Sequence, residues 1–223
     1  TPDLDSADDS GALNSDNITS TTTLTFTGSA PVGSVVQLYV DGVASGSTCT
    51  ANATSGVWTC DTGVLTSGTK AITAVSTTTL TSSTVTSTSS SLSVTVDTVL
   101  PTVTAFSSST ADGSYGVGGA ISITATTSEA VQSGNSITVT LETGTVDRTV
   151  VLTAASAGTA LTGTYTVQSG DVSADLTAAS FTIGTVRDTA GNAMTSTTMP
   201  ASTSNIAQAS ALVIDGVLPT VTA

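Results

Sequence analysis

The sequence has no histidine and only three basic residues, Lys70, Arg148 and Arg187. Without histidine, the chain lacks the usual general base, the Ser-His-Asp and Cys-His nucleophile systems and every histidine-based metal site. Sixteen acidic residues oppose the three basic ones and give a net charge of −13. A surface this acidic repels nucleic acid and anionic membranes, so we expect cations to be its natural partners.

Cysteine, aromatic residues and long apolar runs are also scarce. Cys49 and Cys60 are too few for a four-cysteine zinc site and fit one disulfide in an oxidising, extracellular setting. They flank a segment that resembles two short strands around a turn at residues 52–56, which predicts a disulfide across a hairpin. With 3% aromatic residues, a carbohydrate-binding platform is disfavoured. No stretch approaches eighteen apolar residues, so we expect no membrane insertion in this segment.

What is abundant is Ser, Thr and β-branched aliphatic residues, with 20 glycines for turns, and this composition predicts an all-β fold. Apolar residues alternate with polar ones, as for Leu24 and Phe26 in TTTLTFT or Ile121 and Ile123 in ISITAT. About seven short strands per half of the chain are typical of an immunoglobulin-like sandwich. The predicted strands are 21–27, 35–40, 46–51, 56–60, 70–76, 92–97, 121–126, 137–142, 148–153, 161–167, 180–187 and 211–215. The best helix candidate is ASAGTA at 155–160.

A nine-residue repeat divides the chain. DTVLPTVTA at 97–105 and DGVLPTVTA at 215–223 differ at one position and begin 215 − 97 = 118 residues apart. Each copy follows an alternating strand, and each has a proline, Pro101 or Pro219, where a strand edge or start tolerates one. We therefore predict two tandem β-sandwich domains end to end, at 1–97 and 98–215, and the start of a further repeat at 216–223 of a longer array.

Several stretches resemble tandem bacterial immunoglobulin-like repeats of large secreted adhesins and surface-layer-like proteins. They are SDNIT at 15–19, LTFTGSAPVGSVVQLYVDG at 24–42, SGVWTCDTGVL at 55–65, ADGSYGVGGAISIT at 111–124 and RDTAGNAM at 187–194. The resemblance implies a calcium-binding, rod-forming extender module at the bacterial cell surface. One region departs from it: residues 76–90, STTTLTSSTVTSTSS, have no carboxylate where such repeats usually have an Asp-Ala-Gly-Asn-type loop.

Acidic residues from distant sequence positions are expected to meet where the two domains join. In a sandwich of this type, the loop with Glu129 and the loop that opens with Asp188 lie at the same end of the second domain. This is the end at which the chain enters the domain after Asp97. Carboxylates this close repel each other, and Ca²⁺ binds six to eight oxygen ligands. We predict Ca²⁺ at Asp97, Glu129 and Asp188, with Asp41 or Asp61 as further candidate ligands. The alternative is that Asp97 and Asp188 cap turns while Glu129 is solvated.

The chain opens with a second acidic segment, TPDLDSADDSGALNSDNIT at 1–19. It is not an EF-hand, because a loop numbered from Asp5 has Ala7 at position 3 and its glycine, Gly11, at position 7 rather than 6. An irregular Ca²⁺ loop would use Asp5, Asp9 and Asp16; the alternative is a frayed acidic lead. At the far end of the second domain, another group of acids is a candidate junction site: Asp112, Asp147, Asp171, Asp175 and Asp215.

The candidate functions are structural or binding ones rather than enzymatic. Glu129 and Glu142 are predicted at opposite ends of one strand, roughly 20 Å apart, whereas glycosidase carboxylates lie about 5–9.5 Å apart. The favoured function is a Ca²⁺-rigidified stalk segment of a tandem-repeat bacterial surface protein, with adjacent repeats as partners. The alternatives are a segment of a self-assembling surface layer or filament, in which copies of the chain pair, and a glycan- or protein-binding module.

Overall fold

A computed structural model describes residues 1–220 of the chain, which form two compact units. Unit 1 comprises Thr1–Val99 together with Ala190–Asn192, and unit 2 comprises Leu100–Thr189 and the described residues from Ala193 onward. Of the predicted start of a further repeat at 216–223, residues 221–223 lie outside the described residues.

Unit 1 is a sandwich of two sheets, as the alternating sequence predicts. Its strands are β1 (Asp3–Leu4), β2 (Ile18–Thr19), β3 (Thr25–Ser29), β4 (Val35–Val40), β5 (Val43–Thr50), β6 (Val57–Asp61), β7 (Gly68–Thr79), β8 (Thr84–Thr88) and β9 (Leu92–Val96). One sheet has the order β1-β3-β6. The other has the order β2-β9-β7-β4-β5, and β8 pairs with β7 beside it. β2 runs parallel to β9, so the acidic lead, residues 1–19, ends in a short strand paired with the last strand of the unit.

The core of unit 1 lies between the two sheets. Leu24 and Phe26 are fully buried, so the predicted inward face of this segment is confirmed. From the other sheet, Val36, Leu38 and Ile72 pack into the same cluster and are also fully buried. Because side chains alternate along a strand, the intervening residues, mostly threonines and serines, remain at the surface.

The predicted disulfide between Cys49 and Cys60 is present, with a Cα–Cα distance of 5.6 Å. The prediction that it spans a local hairpin is wrong. Cys49 lies on β5 and Cys60 on β6, and these strands belong to different sheets. The chain crosses from one sheet to the other at a turn in which the Gly56 N–H donates to the Asn52 carbonyl at 2.9 Å. The disulfide therefore joins the two sheets, although its cysteines are only eleven residues apart in sequence.

Unit 2 is also built from β-strands that form two sheets. Its strands are β10 (Val103–Ser107), β11 (Gly113–Tyr115), β12 (Ala120–Val131), β13 (Ser136–Glu142), β14 (Arg148–Thr153), β15 (Gly158–Thr166), β16 (Val172–Ser173), β17 (Thr177–Thr185) and β18 (Leu212–Asp215). Six strands form one sheet in the order β10-β12-β15-β14-β13-β17, and β11-β18-β16 form another. Ile121, Ile123, Ile137, Val139 and Leu141 are fully buried in its core, as the alternation predicts.

The helix prediction at 155–160 is wrong, because residues 158–160 begin β15 and continue the β12 pairing. The chain instead forms a short 3-10 turn at Ser202–Ser204 and one helical turn, α1 (Ile206–Ala209). Asn205 caps α1 with its Oδ1 atom and also bonds the Ala178 backbone, which attaches this segment to β17. In residues 1–220, no helix has the length and apolar character needed to cross a bilayer.

Candidate metal centre

The acidic lead of unit 1 surrounds an open cavity of about 370 Å³. Apart from Leu4, all of its lining residues have oxygen-bearing side chains: Asp3, Asp5, Ser6, Asp9, Asn14, Ser15, Asn17 and Thr27. Carboxylate, amide and hydroxyl oxygens are ligands that hard cations such as Ca²⁺ prefer. The composition of the cavity therefore suits a cation rather than an apolar ligand.

Asp9 is the buried member of this group, with only 4% of its surface exposed. One carboxylate oxygen, Oδ2, accepts a hydrogen bond from the Asn17 N–H at 3.1 Å. The other, Oδ1, is buried and has no hydrogen-bond partner. A buried carboxylate oxygen without a partner costs free energy that a bound cation would offset. The residues present therefore fit a Ca²⁺ ion.

Local turn chemistry holds these side chains in place. The Asp5 carbonyl accepts the N–H groups of Asp8 and Asp9, and the Asp5 Oδ1 atom accepts the Ala7 N–H at 2.9 Å. Asp8 turns away from the cavity, where its Oδ2 atom accepts the Thr25 N–H at 2.7 Å and ties the lead to the start of β3. The lead is thus fastened to the sandwich rather than frayed.

The cavity contains two of the three acids predicted for this loop, Asp5 and Asp9. The third, Asp16, is not among its lining residues, and its Oδ1 atom accepts the Ile18 N–H at 3.1 Å. Asp3 takes a place in the lining from β1, where it lies opposite Thr27. Sequence reasoning overlooked Asn14 and Asn17, although side-chain amides ligate Ca²⁺ and their position within the acidic segment was a usable signal.

In unit 2, Glu129 and Asp188 are close together, with a carboxylate oxygen of one within 4.8 Å of a carboxylate oxygen of the other. The prediction that Glu129 lies in a loop is wrong. β12 continues through a register shift after Thr126 and ends only at Val131, which forms an isolated bridge with Asp188. Asp188 is 1% exposed, and its carbonyl accepts the Gln132 side-chain amide at 2.8 Å.

The remaining predicted ligands lie in unit 1. Asp97 follows β9 and caps a turn, with its Oδ1 atom accepting the Val99 N–H at 3.0 Å. Asp41 lies in the β4–β5 turn with φ +52°, and its Oδ1 atom accepts the Ala71 N–H. Asp61 ends β6 opposite Thr25 and is exposed, rather than following the strand.

Within residues 1–220, neither Asp41 nor Asp61 belongs to a group of three carboxylates close enough to share an ion, and the same holds for Asp5, Asp9 and Asp16 as a trio. A cation in the acidic lead would thus depend on amide, hydroxyl, carbonyl or water oxygens as well as on carboxylates. The role of Asp41, Asp61 and Asp16 as ligands, and the joining of Asp97 to Glu129 and Asp188, stay predictions.

The candidate acids at the other end of unit 2 serve the protein's own hydrogen bonds. Asp171 is 1% exposed and accepts from the Arg148 Nε atom at 2.8 Å, the Tyr165 hydroxyl at 2.6 Å and the Gln168 N–H at 2.9 Å. Each of the other four accepts a backbone N–H: Asp112 from Ala211, Asp147 from Thr143, Asp175 from Leu212 and Asp215 from Val217.

These contacts shift the pKa values of the buried pair. Burial disfavours the ionised form of Asp171, but the hydrogen bonds from Tyr165, Gln168 and Arg148 outweigh it and lower the pKa of this carboxyl below its usual 3.8. Burial, together with the hydrogen bond to Asp171, raises the pKa of the Tyr165 hydroxyl. Asp171 is therefore a structural anion, satisfied by the protein itself.

Comparison with known proteins identifies the class of the first unit. Residues 1–98 match the family model described as a bacterial Ig-like domain. No curated protein matches the chain. Domains of this family are typically non-enzymatic structural modules and are often found outside the cell. Residues 1–98 are therefore similar to a bacterial Ig-like domain, and the nearly all-β fold of the described residues agrees with Ig-like β-sandwich domains.

Proposed function

We propose that the chain is a structural segment of a tandem-repeat bacterial surface protein, stiffened by Ca²⁺, that extends another element away from the cell. Three features support this: the Ig-like domain at residues 1–98, the near-identical nine-residue segments at 97–105 and 215–223, and a disulfide suited to an oxidising environment. Its partners would be adjacent repeats of the same chain.

The observation that carries the Ca²⁺ proposal is the buried Asp9 Oδ1 atom, which has no hydrogen-bond partner and belongs to an oxygen-lined cavity. Asp9 would hold the ion with Asp5 and Asp3, supported by oxygens of Asn14 and Asn17. The ion would neutralise part of the net charge of −13 and fix the acidic lead against the sandwich.

A second ion is proposed at Glu129 and Asp188, with Asp97 as the third ligand. Two ligand oxygens bound to one Ca²⁺ at about 2.3–2.6 Å can be separated by up to about 5 Å. The separation of at most 4.8 Å between Glu129 and Asp188 is compatible with that limit. An ion held by residues before and after the 97–105 segment would restrict bending at this segment.

The test is calorimetric titration of the 223-residue chain with Ca²⁺ after EDTA treatment, together with thermal melting in both conditions. We expect binding heat and a melting temperature several degrees higher with Ca²⁺, because a ligand that binds only the folded state stabilises it. If no heat is released and EDTA leaves melting unchanged, the proposal fails.

Asp9→Asn gives a sharper result, because it removes the charge that the proposed ion compensates. In EDTA we expect this variant to be at least as stable as the parent, since it no longer buries an unpartnered carboxylate oxygen. In Ca²⁺ the order reverses, and the variant lacks one binding site. Asp147→Asn is the matched control: it removes one exposed charge in unit 2 and is expected to keep the Ca²⁺ response.

A further inference from the structure

Strand β8 differs from the other strands of unit 1, each of which has at least one buried or partly buried residue. All five of its residues, Thr84–Thr88, are exposed. It belongs to a segment, residues 76–91, in which fourteen of sixteen residues carry a hydroxyl group. Strand propensity alone does not account for β8, because an ordinary sandwich strand turns alternate side chains into the core.

One edge of β8 has no neighbouring strand in the described part of the chain, since β8 pairs only with β7. The Ser89 N–H donates to the Ala74 carbonyl, and the Leu80 N–H to the Ser83 carbonyl. Because backbone groups alternate in direction along a strand, Val85 and Ser87 also direct theirs toward β7. Thr84, Thr86 and Thr88 therefore direct their N–H and C=O groups outward.

This edge lacks the features that keep strands apart. Natural edge strands usually carry a charge, a proline or a bulge that prevents pairing with another chain. No charged residue and no proline lies between Lys70 and Asp97, and the β7–β8 pairing runs without a register shift. In a chain with a net charge of −13, the edge of β8 is a neutral place at which two copies can approach.

We propose that β8 pairs antiparallel with β8 of a second copy of this chain across a two-fold axis. The sequence TVTST is nearly palindromic, so Thr86 lies opposite its own copy, Thr84 opposite Thr88, and Val85 opposite Ser87. The outward groups of Thr84, Thr86 and Thr88 then bond each other, and opposed threonines are favourable cross-strand pairs. Such a contact is isologous and closes as a dimer.

A cavity beside β8 also supports pairing with a second copy of the chain. About 180 Å³ in volume, it lies next to Trp58, Val36 and Ala74, and Ser76 and Ser87 of the β7–β8 hairpin line it. By alternation, Val85 shares this face of β8 with Ser87, and its side chain is 53% exposed. The two-fold pairing puts Val85 of each copy opposite Ser87 of the other, on the cavity side, and shields the only large apolar side chain of β8.

The contact is short, so the pairing is weak in free solution. Five residues from each copy bury much less than the roughly 1,200–2,000 Å² of stable protein interfaces. Chains held side by side on one surface would pair more fully, because tethering raises their effective concentration. The inference goes beyond the proposed stalk function, since it predicts lateral association between copies.

Sedimentation velocity from micromolar to millimolar protein tests the proposal with variants at the two-fold axis. The parent chain is expected to shift toward the dimer at high concentration. Thr86→Lys and Thr86→Glu each place like charges opposite each other, and we expect association about fivefold weaker in each. An equimolar mixture of the two variants restores association, because opposite charges then face each other.

Two further variants and one condition complete the test. Thr86→Pro removes the Thr86 N–H, which is directed outward, and leaves the hydrogen bonds between β8 and β7 intact. We therefore expect it to abolish pairing between copies while the melting temperature of unit 1 stays the same. Thr162→Lys adds the same charge at an exposed threonine of β15, a strand paired on both sides, and leaves association unchanged. EDTA also has no effect, since the edge has no carboxylate, which separates this result from the Ca²⁺ proposal. A monomeric parent, or a mixture that does not recover association, overturns the inference.

Discussion

Asp171 illustrates how a single buried charge is tolerated in a chain with few cations. Its two carboxylate oxygens accept three hydrogen bonds, from Arg148, Tyr165 and Gln168, so its lost hydration is replaced. Its carbonyl also accepts the Gly216 N–H at 2.7 Å, which fixes the chain just beyond β18. The residue therefore joins β14, β15 and the end of unit 2.

We expect Asp171→Asn to destabilise unit 2 by about 2–4 kcal/mol, because it breaks the pair with Arg148 and leaves that guanidinium partly buried. Tyr165→Phe, which removes one donor and keeps the ring, is expected to cost about 1 kcal/mol. Hydrogen exchange of β13 and β15 peptides measures both. Equal protection in the parent and Asp171→Asn would show that the network does not support the core.

The lowered pKa of Asp171 gives unit 2 a pH dependence of known sign. A carboxyl with a folded-state pKa below the unfolded value contributes stability that is present above the unfolded pKa, near 3.8, and is lost as pH falls through the folded pKa. We expect the stability difference between the parent and Asp171→Asn to shrink below about pH 4. Melting curves from pH 7 to pH 2 measure it, and a constant difference would contradict the assignment.

Gly28 is required by a close approach rather than by an unusual backbone angle. A Cβ atom at this position would lie 2.4 Å from the Trp58 ring, which packs directly on the β3 backbone. We expect Gly28→Ala to destabilise unit 1 by about 1–3 kcal/mol, because the buried indole must move. Denaturant unfolding followed by Trp58 fluorescence reports it. Gly134→Ala is a contrasting case, since its Cβ meets nothing within 4 Å and its cost comes only from φ +80°.

At the scale of elements, the disulfide links β5 to β6 and thus one sheet of unit 1 to the other. In the loop-entropy description, a bridge across about a dozen residues stabilises the fold by about 3 kcal/mol. We expect the double variant Cys49→Ala, Cys60→Ala to lower the denaturant midpoint of unit 1, measured by Trp58 fluorescence, by a corresponding amount. Protection of the β13 and β15 peptides in unit 2 should remain unchanged, and a parallel loss there would contradict the two-unit description.

Most strands that the sequence predicts bury alternate residues in a core. Leu24, Phe26, Ile121 and Ile123 alternate because one face of each segment is buried, and the sequence records that alternation. β8 has no such alternation, since it buries nothing, and it was not predicted. The helical turn α1 was also missed, because four residues held by Asn205 leave no helical periodicity.

Long-range crossings and register shifts are likewise hidden from the sequence. The spacing of Cys49 and Cys60 predicts a bridge, but the sheet that each strand joins depends on the path of the whole unit. Glu129 looks like a loop residue because TSEAV lacks strict alternation, yet β12 continues through a register shift to Val131. For the site, the acids of the lead indicate the cavity, whereas the burial of Asp9 appears only once the segment folds back on β3.

At the scale of the molecule, 16 acids and three bases make the folded state sensitive to cations. Repulsion between the acidic residues favours the unfolded chain. Cations bound at specific sites reduce this repulsion more than diffuse screening by salt does. Some acids only cap turns, as Asp112 and Asp175 do, some are paired within the protein, as Asp171 is, and others lie beside further carboxylates or unpartnered oxygens. Only the last class is expected to respond to Ca²⁺.

The repeated segment provides an internal control for the proposed ion at Asp97. Asp97 and Asp215 occupy the same position in DTVLPTVTA and DGVLPTVTA, and each caps the turn that follows it, through Val99 and Val217 respectively. Only Asp97 is proposed to share an ion with Glu129 and Asp188. Asp97→Asn is therefore expected to remove one Ca²⁺ from the titration, whereas Asp215→Asn removes none, although both lose the same charge and both keep an oxygen that can accept the turn N–H. Small-angle scattering of Asp97→Asn in Ca²⁺ should resemble that of the parent in EDTA, because the segment is no longer restrained. If both variants bind as many ions as the parent, Asp97 acts only as a turn cap.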